Sequence, residues 1–317
     1  MSLEWVAVFI QVLQIEELSK PMPNFKEIYS KRPVTISCEL FPPKTEKGME
    51  TLIKNVKRLM TFSPDYLTCT YGAGGSDRDR TLQVLRRVKQ EFNLPVASHL
   101  TLVGSHVDDL RKYLDQAKSA GIDYIVALRG DAPQGESTFA PCDGGLRYAN
   151  ELVDLINAEY QNFDVAVAGY PEVHQEAPSA EVDLENLKRK VDAGAGIVIT
   201  QLFFDNIDFL RFRDRCRNVG INVPIVPGIM PITNFSQVQR ISSLCGAALP
   251  HELVSKLEKN ESEDAQFNVG VEHAVNQIAN LIDEGVEGLH LYVLNKSKAT
   301  SAILQAIEVS SRIASAS

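Results

Sequence analysis

The amino-acid sequence predicts an α/β fold, a (β/α)8 TIM barrel that forms one domain. Eight short apolar runs alternate with amphipathic stretches along the 317 residues. Strands that alternate with crossover helices form a parallel sheet, and eight is the number of parallel strands that closes a barrel. No low-complexity linker divides the chain. We therefore expect a single barrel over residues 24–317, preceded by an N-terminal extension at residues 1–23.

The predicted elements follow one another in strict alternation. Strands are expected at residues 34–40, 66–70, 96–100, 124–128, 165–169, 197–203, 223–226 and 289–291. Helices are expected at residues 48–60, 79–92, 107–120, 146–159, 182–193, 209–219 and 235–244. Four glycines stand where helices end, which is typical of helix termini: Gly121, Gly194, Gly220 and Gly285. The charged, turn-rich residues 250–265 predict an added helical segment before the last strand.

The composition excludes several classes of protein. The formal net charge is -9, which argues against a general binder of nucleic acid or of anionic membranes. The five cysteines are widely spaced and contain no CxxC pair, so neither a disulfide framework nor a zinc site is indicated. The apolar residues 6–15 are too few to span a bilayer. We expect a cytoplasmic protein that binds neither a membrane nor a metal.

Polar residues fall at the predicted carboxyl ends of the strands. In the first strand, alternation places the apolar residues on the face toward the helices, namely Val34, Ile36, Cys38 and Leu40. Glu39 then points into the mouth of the barrel, where a carboxylate is costly unless it has partners or a function. Other strands end in polar or special residues, namely Thr70, Tyr71, His99, Arg129, Gly130, Asp131, Tyr170, His174, Gln201, Gly228 and Tyr292. Any one of them could be an ordinary strand-end residue, but together they are typical of the active site of a barrel.

Other motifs are less specific. The glycine-rich residues 72–75 complete no GxGxxG pattern, so we expect a flexible loop rather than a dinucleotide fingerprint. The helix after strand five carries Asp183, Asn186, Arg189 and Lys190 on one face, which is either solvated or anchors a nucleotide. Phe235 is either a core or a rim aromatic residue.

Nine short motifs, in order, resemble those of the methylenetetrahydrofolate reductases. They are ELFPPK at 39–44, TYGA at 70–73, HLT at 99–101, ALRGD at 127–131, YPEVH at 170–174, LKRKVDAGA at 187–195, ITQLFFD at 199–205, PGIMPI at 227–232 and LYVLN at 291–295. The resemblance runs from Val34 to Ile303. It implies a TIM barrel with non-covalently bound FAD that reduces methylenetetrahydrofolate to methyltetrahydrofolate, with NADH or NADPH as the electron donor.

The resemblance also implies roles for individual residues. Glu39 is the expected general acid, and Asp131 is expected near the flavin and the pterin. The expected flavin contacts are Thr70, His99, Arg129, Gly130, Asp131, Tyr148, Ala149, Tyr170, His174, Asp183, Asn186, Arg189 and Lys190. The expected folate-side residues are Glu39, Asp131, Gln201, Phe235, Tyr292 and Lys296. Lys296 stands where the family's arginine is expected, so it keeps the charge but lacks the planar fork.

Two other functions remain open at this level. A folate-binding methyltransferase on the same barrel would bind pterin without flavin, so flavin absorbance distinguishes it. An electron-transfer subunit would receive electrons from a partner protein, so oxidation of NAD(P)H by the isolated chain distinguishes it. We also expect the protein to form a homo-oligomer.

Overall fold

The computed structural model describes residues 23–71, 78–132, 135 and 139–314, and it shows a closed barrel of eight parallel strands. The strands are β1 Thr35–Leu40, β2 Tyr66–Cys69, β3 Val96–Thr101, β4 Tyr124–Leu128, β5 Asp164–Gly169, β6 Ile197–Leu202, β7 Ile225–Ile229 and β8 Gly288–Tyr292. Each strand pairs with the next, and β8 pairs with β1, which closes the barrel. The predicted fold class is confirmed. The predicted extension lies outside the described residues, apart from Pro23, and so does the glycine-rich segment 72–75.

Eleven α-helices occur in the described ranges. They are α1 Phe25–Lys31, α2 Glu46–Leu59, α3 Arg78–Phe92, α4 Val107–Ser119, α5 Ala149–Glu159, α6 Ala180–Asp192, α7 Asn206–Asn218, α8 Phe235–Cys245, α9 His251–Lys259, α10 Glu263–Asp283 and α11 Ser297–Ala314. The added helical segment before the last strand is confirmed as α9 and the start of α10.

Local chemistry explains where the helices begin and end. The side chains of Thr45 and Ser179 accept hydrogen bonds from backbone N–H groups in the first turns of α2 and α6, which satisfies donors that would otherwise lack partners. The four glycines predicted at helix ends all have positive φ, from 71° at Gly285 to 107° at Gly194. L-residues rarely adopt that conformation, so glycine ends these helices at little cost.

Several predicted boundaries differ from the structure by one to three residues, and two of these differences have a clear physical cause. Strand seven was expected to end before Pro227 and Gly228, but both lie inside β7. The β6–β7 pairing shifts register between Ile199 and Leu202, and this irregularity accommodates a proline that cannot donate to the ladder. The helix predicted from residue 146 begins at Ala149, because Tyr148 has extended backbone angles and serves as its N-cap.

The core has two main parts, and a third, smaller apolar cluster includes Met230. The larger part lies between the outer face of the barrel and the helices, where Cys38 and Leu40 are fully buried or nearly so. The second part fills the barrel interior. Its aromatic residues, which we call the barrel floor, are Phe25, Tyr29, Tyr66 and Tyr124. Because two of them come from α1, that helix closes the amino-terminal end, and the polar strand ends surround the opposite opening.

None of the helices in the described ranges is long and apolar enough to cross a membrane.

Candidate active site

Glu39 lies on the inner face of β1, as strand alternation predicts. It is 7% exposed, although it is a carboxylic acid. Its Oε2 atom lies 3.4 Å from Nε2 of His99 on β3 and 3.6 Å from Nε2 of His290 on β8. Both imidazole nitrogens therefore face the same carboxyl oxygen. Neither nitrogen has a standard hydrogen bond in the described structure. The carboxyl oxygen, at these longer distances, is the polar group that both nitrogens face.

The two histidines differ in what holds them. Burial lowers the pKa of His99, against the opposing effect of Glu39, so His99 is a neutral imidazole at physiological pH. His290 is held on its other side, because its Nδ1 atom lies 2.8 Å from the Ser37 hydroxyl. Ser37 sits one inward position before Glu39 on β1. The carboxyl group thus lies next to buried polar side chains.

The residues predicted on the folate side line the same opening. The Tyr292 hydroxyl donates to the Thr200 carbonyl at 2.7 Å. Its ring occupies space that Gly228 leaves open, because a Cβ at that position would lie 2.7 Å from the ring. The Oε1 atom of Gln201 accepts a hydrogen bond from the Leu202 backbone at 2.9 Å, so its NH2 group is directed elsewhere. Burial raises the pKa of Tyr292, with Glu39 adding to the effect.

A second polar cluster follows β4 and β5. Arg129 makes a bidentate ion pair with Glu176, with both N–O distances 2.7 Å. The next residue, Gly130, has φ +86°, and a Cβ there would lie 2.5 Å from Cγ2 of Val103. Only glycine fits that position, so the chain can turn sharply between Arg129 and Asp131.

The YPEVH segment joins this cluster to helix α6. The rings of Tyr170 and His174 make an edge-to-face contact with centroids 4.6 Å apart. The backbone N–H of His174 donates to Asp183 at 3.1 Å. Lys190 donates to the Ala168 carbonyl at 2.5 Å, and burial lowers its pKa to about 8. The four residues predicted on one face of this helix therefore lie in two environments, and Asp183 and Lys190 are the two that are turned toward the cluster.

The remaining predicted residues lie around these two groups. Asn186 and Arg189 are exposed on α6 and bond to each other at 3.3 Å. Tyr148 is exposed at the start of α5, beside Ala149. Lys296 is exposed after β8. Two others are half-buried: Thr70, which follows β2, and Phe235, which begins α8 and packs against a satellite apolar cluster.

The structure brings in three residues that the sequence reasoning did not assign to the site: Glu176, Ser37 and His290. Strand alternation could have found Ser37 and His290, since both share the inner faces of strands that carry predicted site residues. Glu176 gave no such signal, because it lies in an irregular segment. In the described ranges, no group of three or more histidine, cysteine, aspartate or glutamate residues could hold a metal ion.

Comparisons with known proteins show the family to which the chain belongs. The family model for methylenetetrahydrofolate reductase matches residues 24–308. The chain belongs to the methylenetetrahydrofolate reductase family. It is 41% identical over 278 residues to 5,10-methylenetetrahydrofolate reductase of Salmonella typhimurium, covering 87% of this chain and 91% of that protein.

Other relatives extend the comparison. The chain is 37% identical over 296 residues to methylenetetrahydrofolate reductase (NADH) 1 of Arabidopsis thaliana. That alignment covers 90% of this chain but 50% of the plant protein, so the chain spans about half the length of this relative. Among solved structures, a protein from Clostridium thermocellum described as binding two copies of 5-methyl-5,6,7,8-tetrahydrofolic acid superposes with a TM-score of 0.66. The superposition covers 91% of this chain and 98% of the Clostridium thermocellum protein at 15% identity. This similarity supports the fold alone.

Proposed function

We propose that this protein is a flavin-dependent oxidoreductase that reduces methylenetetrahydrofolate to methyltetrahydrofolate. The single observation that carries the proposal is the position of Glu39. It is a buried carboxyl group at the mouth of a barrel whose family is that of methylenetetrahydrofolate reductase. Opening the five-membered ring of the folate requires a proton on N10, and a positioned carboxylic acid is a common source of such a proton.

The cluster around Arg129 suits FAD. Arg129 and Lys190 lie close enough that each charge affects the other, and Arg129 contributes to the lowered pKa of Lys190. Two cations that lie close together in a half-buried site are stabilised by an anion. A diphosphate has enough anionic oxygens to contact both of them. The sharp turn at Gly130 lets the backbone approach a ligand closely. These residues fit the cofactor that the family resemblance implies.

We assign the flavin contacts accordingly. Arg129, His174 and Lys190 would hold the phosphates, while Asp183 and Asn186 suit the hydroxyl groups of a nucleotide. The other proposed contacts are Thr70, His99, Gly130, Asp131, Tyr148, Ala149, Tyr170 and Arg189. When bound, the flavin supplies the hydride that reduces the methylene carbon.

The protein's own residues then divide the remaining tasks. Glu39 delivers the proton to N10. Gln201, whose Oε1 is already bonded to the backbone, donates from its NH2 group to the folate. Phe235 stacks against the substrate, and Tyr292 and Lys296 lie on the substrate side of the site. Asp131, which is exposed beside the Arg129 cluster, places negative charge near both ligands and so opposes negative charge on the reduced flavin.

An anaerobic experiment on the purified protein tests the proposal. We expect a yellow protein whose flavin absorbance is bleached by NADH or NADPH and recovers when methylenetetrahydrofolate is added. A colourless protein that still binds folate would favour the methyltransferase alternative. A flavoprotein that neither nicotinamide reduces, but that dithionite reduces, would favour reduction by a partner protein. Sedimentation of the same sample measures whether it is the homo-oligomer that we expect.

A further inference from the structure

We propose that Asn295 is a positioning residue for the folate, because its side chain clamps the turn after β8 onto the end of β1. Its role toward the folate rests on the function proposed above, since the turn carries Lys296 and β1 carries Glu39. Asn295 contacts neither the substrate nor the cofactor in this proposal. It acts by fixing the backbone of Lys296 relative to Glu39.

The clamp consists of two hydrogen bonds between one side chain and one residue of the backbone. The Phe41 N–H donates to Oδ1 of Asn295 at 2.9 Å, and Nδ2 of Asn295 donates to the Phe41 carbonyl at 2.8 Å. The last paired residues of the two strands are Glu39 and Tyr292, so the clamp lies beyond the end of the ladder. A carboxamide offers a donor and an acceptor, as a peptide group does. Asn295 therefore continues the pairing of β1 and β8 past the last strand residues.

The turn that carries Asn295 has a backbone conformation that needs support. Leu294 has φ 50° and Asn295 has φ 57°, and the Lys296 N–H donates to the Val293 carbonyl at 2.9 Å, as in a type I′ turn. Asparagine tolerates this left-handed conformation, whereas leucine rarely adopts it. Such strain persists only where the surrounding structure holds it, and it is concentrated at functional sites.

A second asparagine holds the turn from helix α2. Nδ2 of Asn55 donates to the Asn295 carbonyl at 2.7 Å, and Oδ1 of Asn55 accepts from the Ser297 hydroxyl at 3.1 Å. Ser297 is 2% exposed and begins α11. Lys296 thus lies between two residues that are both held, so its backbone has a fixed place although its side chain is exposed.

The fixed backbone limits where the charge of Lys296 can reach. Its ammonium is a point charge on a flexible stem, so the position of the backbone decides which groups it meets. A folate carries its negative charges on the carboxylates of its glutamate, and these are the groups that an ammonium binds. Clamping the turn to β1 therefore sets the distance between the cation for these carboxylates and Glu39, which acts on the ring system.

Hydrogen exchange of the Phe41 amide tests the clamp without reference to activity. This amide can be resolved, because Pro42 and Pro43 follow it and have no N–H. Asn295→Gly removes the clamp but eases the left-handed turn, since glycine adopts positive φ readily. In the full-length flavin-loaded protein we expect exchange at Phe41 to be about tenfold faster in Asn295→Gly than in the wild type, as one lost hydrogen bond allows. Equal rates in the two proteins would overturn the proposal.

Asn93→Gly is the matched control. Asn93 is an exposed asparagine that also has positive φ, 49°. It precedes β3, at the end of the barrel opposite the mouth. We expect wild-type exchange at Phe41 and wild-type folate binding in this variant. A change equal to that in Asn295→Gly would mean that any such substitution loosens the barrel, and it would overturn the specific role of Asn295.

Folate binding tests the link to Lys296. We expect Asn295→Gly and Lys296→Met each to raise the Kd for methyltetrahydrofolate about tenfold, the order of one hydrogen bond to a charged group, in equilibrium dialysis of the oxidised flavin-loaded protein. The double variant should bind no more than about twofold more weakly than Lys296→Met, because a clamp that acts through Lys296 then has nothing to position. Wild-type affinity in Asn295→Gly, or two effects that multiply in the double variant, would overturn the proposal.

A second variant covers the case in which Asn295→Gly does not fold. Asn55→Ala removes the bond to the Asn295 carbonyl and should change the exchange rate and the Kd in the same directions by less, about threefold. Wild-type values of both quantities in Asn55→Ala would then overturn the proposal. A wild-type protein that binds no folate would disprove the proposed function, whereas the protection of the Phe41 amide by Asn295 would still be seen.

Discussion

At the scale of single residues, the surroundings of Glu39 explain how a carboxyl group is held inside a barrel. In the described ranges the basic side chains next to its carboxyl group are His99 and His290. Since burial lowers the pKa of His99, that histidine is a neutral polar neighbour at physiological pH rather than a fixed counter-ion. A proton donor benefits from such surroundings, because a permanent cation would hold the residue as a carboxylate.

Replacing Glu39 by glutamine separates the two halves of the proposed reaction. Glu39→Gln keeps the size and hydrogen-bonding capacity of the side chain but has no acid proton. We expect near-normal reduction of the flavin by nicotinamide and a loss of folate-dependent reoxidation of at least ~10²–10⁴, the usual contribution of a general acid. Stopped-flow absorbance at the flavin band measures both steps. If neither step slows, the proton comes from another group.

Lys190 predicts a pH dependence for cofactor binding. Burial lowers its pKa to about 8, so the cofactor-free protein loses this charge as the pH rises through that value. A diphosphate beside Lys190 favours the ammonium form, so binding above pH 8 takes up a proton. The Kd for FAD should therefore rise with pH above 8, by up to about tenfold per pH unit, in fluorescence titrations of the apoprotein.

Two variants test this assignment. Lys190→Met should bind FAD more weakly at pH 7 and show a much flatter pH dependence. The matched control is Lys188→Met, on the same helix, whose ammonium pairs with Asp192 four residues later. A slope that is unchanged in Lys190→Met would place the titrating group elsewhere.

At the scale of elements, α1 is part of the barrel even though it precedes the first strand. Its first turn is tied to β5, because the Phe25 backbone N–H donates to Asp164 at 2.6 Å. The Phe25 ring lies 4.4 Å from the ring of Tyr124 and 5.5 Å from that of Tyr66, measured between centroids. A short helix with seven residues is marginal alone, so packing on the barrel floor is what stabilises it.

Phe25→Ala tests that role. Phe25 is 0% exposed, and removing a buried phenylalanine ring costs about 3–5 kcal/mol. We expect the free energy of unfolding in urea to fall by that amount. Ile207→Ala is the control, because Ile207 is 50% exposed on α7 and should change stability by less than about 0.5 kcal/mol. A similar small change for both variants would show that α1 is not integral to the barrel.

At the scale of the whole molecule, the family match begins beside the first helix that the structure describes. The match begins at residue 24, and Asn24 is the N-cap of α1. The match to the family therefore includes α1. The boundary between an extension at residues 1–23 and the barrel stays a prediction.

Deletion of residues 1–21, which leaves Met22 as the first residue, tests that boundary. We expect the flavin content and the turnover of the shortened protein to stay within about twofold of the full chain, because termini outside a fold are usually tolerant of change. Flavin absorbance per protein and steady-state NAD(P)H oxidation measure the two quantities. Loss of bound flavin would show that these residues contribute to the fold or to an interface.

The sequence by itself determined the barrel, the number of its strands and the direction of Glu39. These features follow from local periodicity, because strand alternation and helix-ending glycines are properties of neighbouring residues. It also predicted the family through nine ordered motifs. It misplaced the end of β7, since Pro227 is normally a strand breaker, and the register shift that accommodates it depends on β6.

Only the tertiary structure decided which polar groups meet. Ser37 and His290 are separated by 253 residues, and Arg129 and Glu176 by 47 residues. No local pattern predicts such pairs, because they depend on the closure of the barrel and on the path of a loop. The same closure divides the polar face of α6, half-burying Lys190 while leaving Arg189 exposed. Strand order and helix packing, rather than residue spacing, thus set the chemistry around the proposed general acid and the proposed phosphate site.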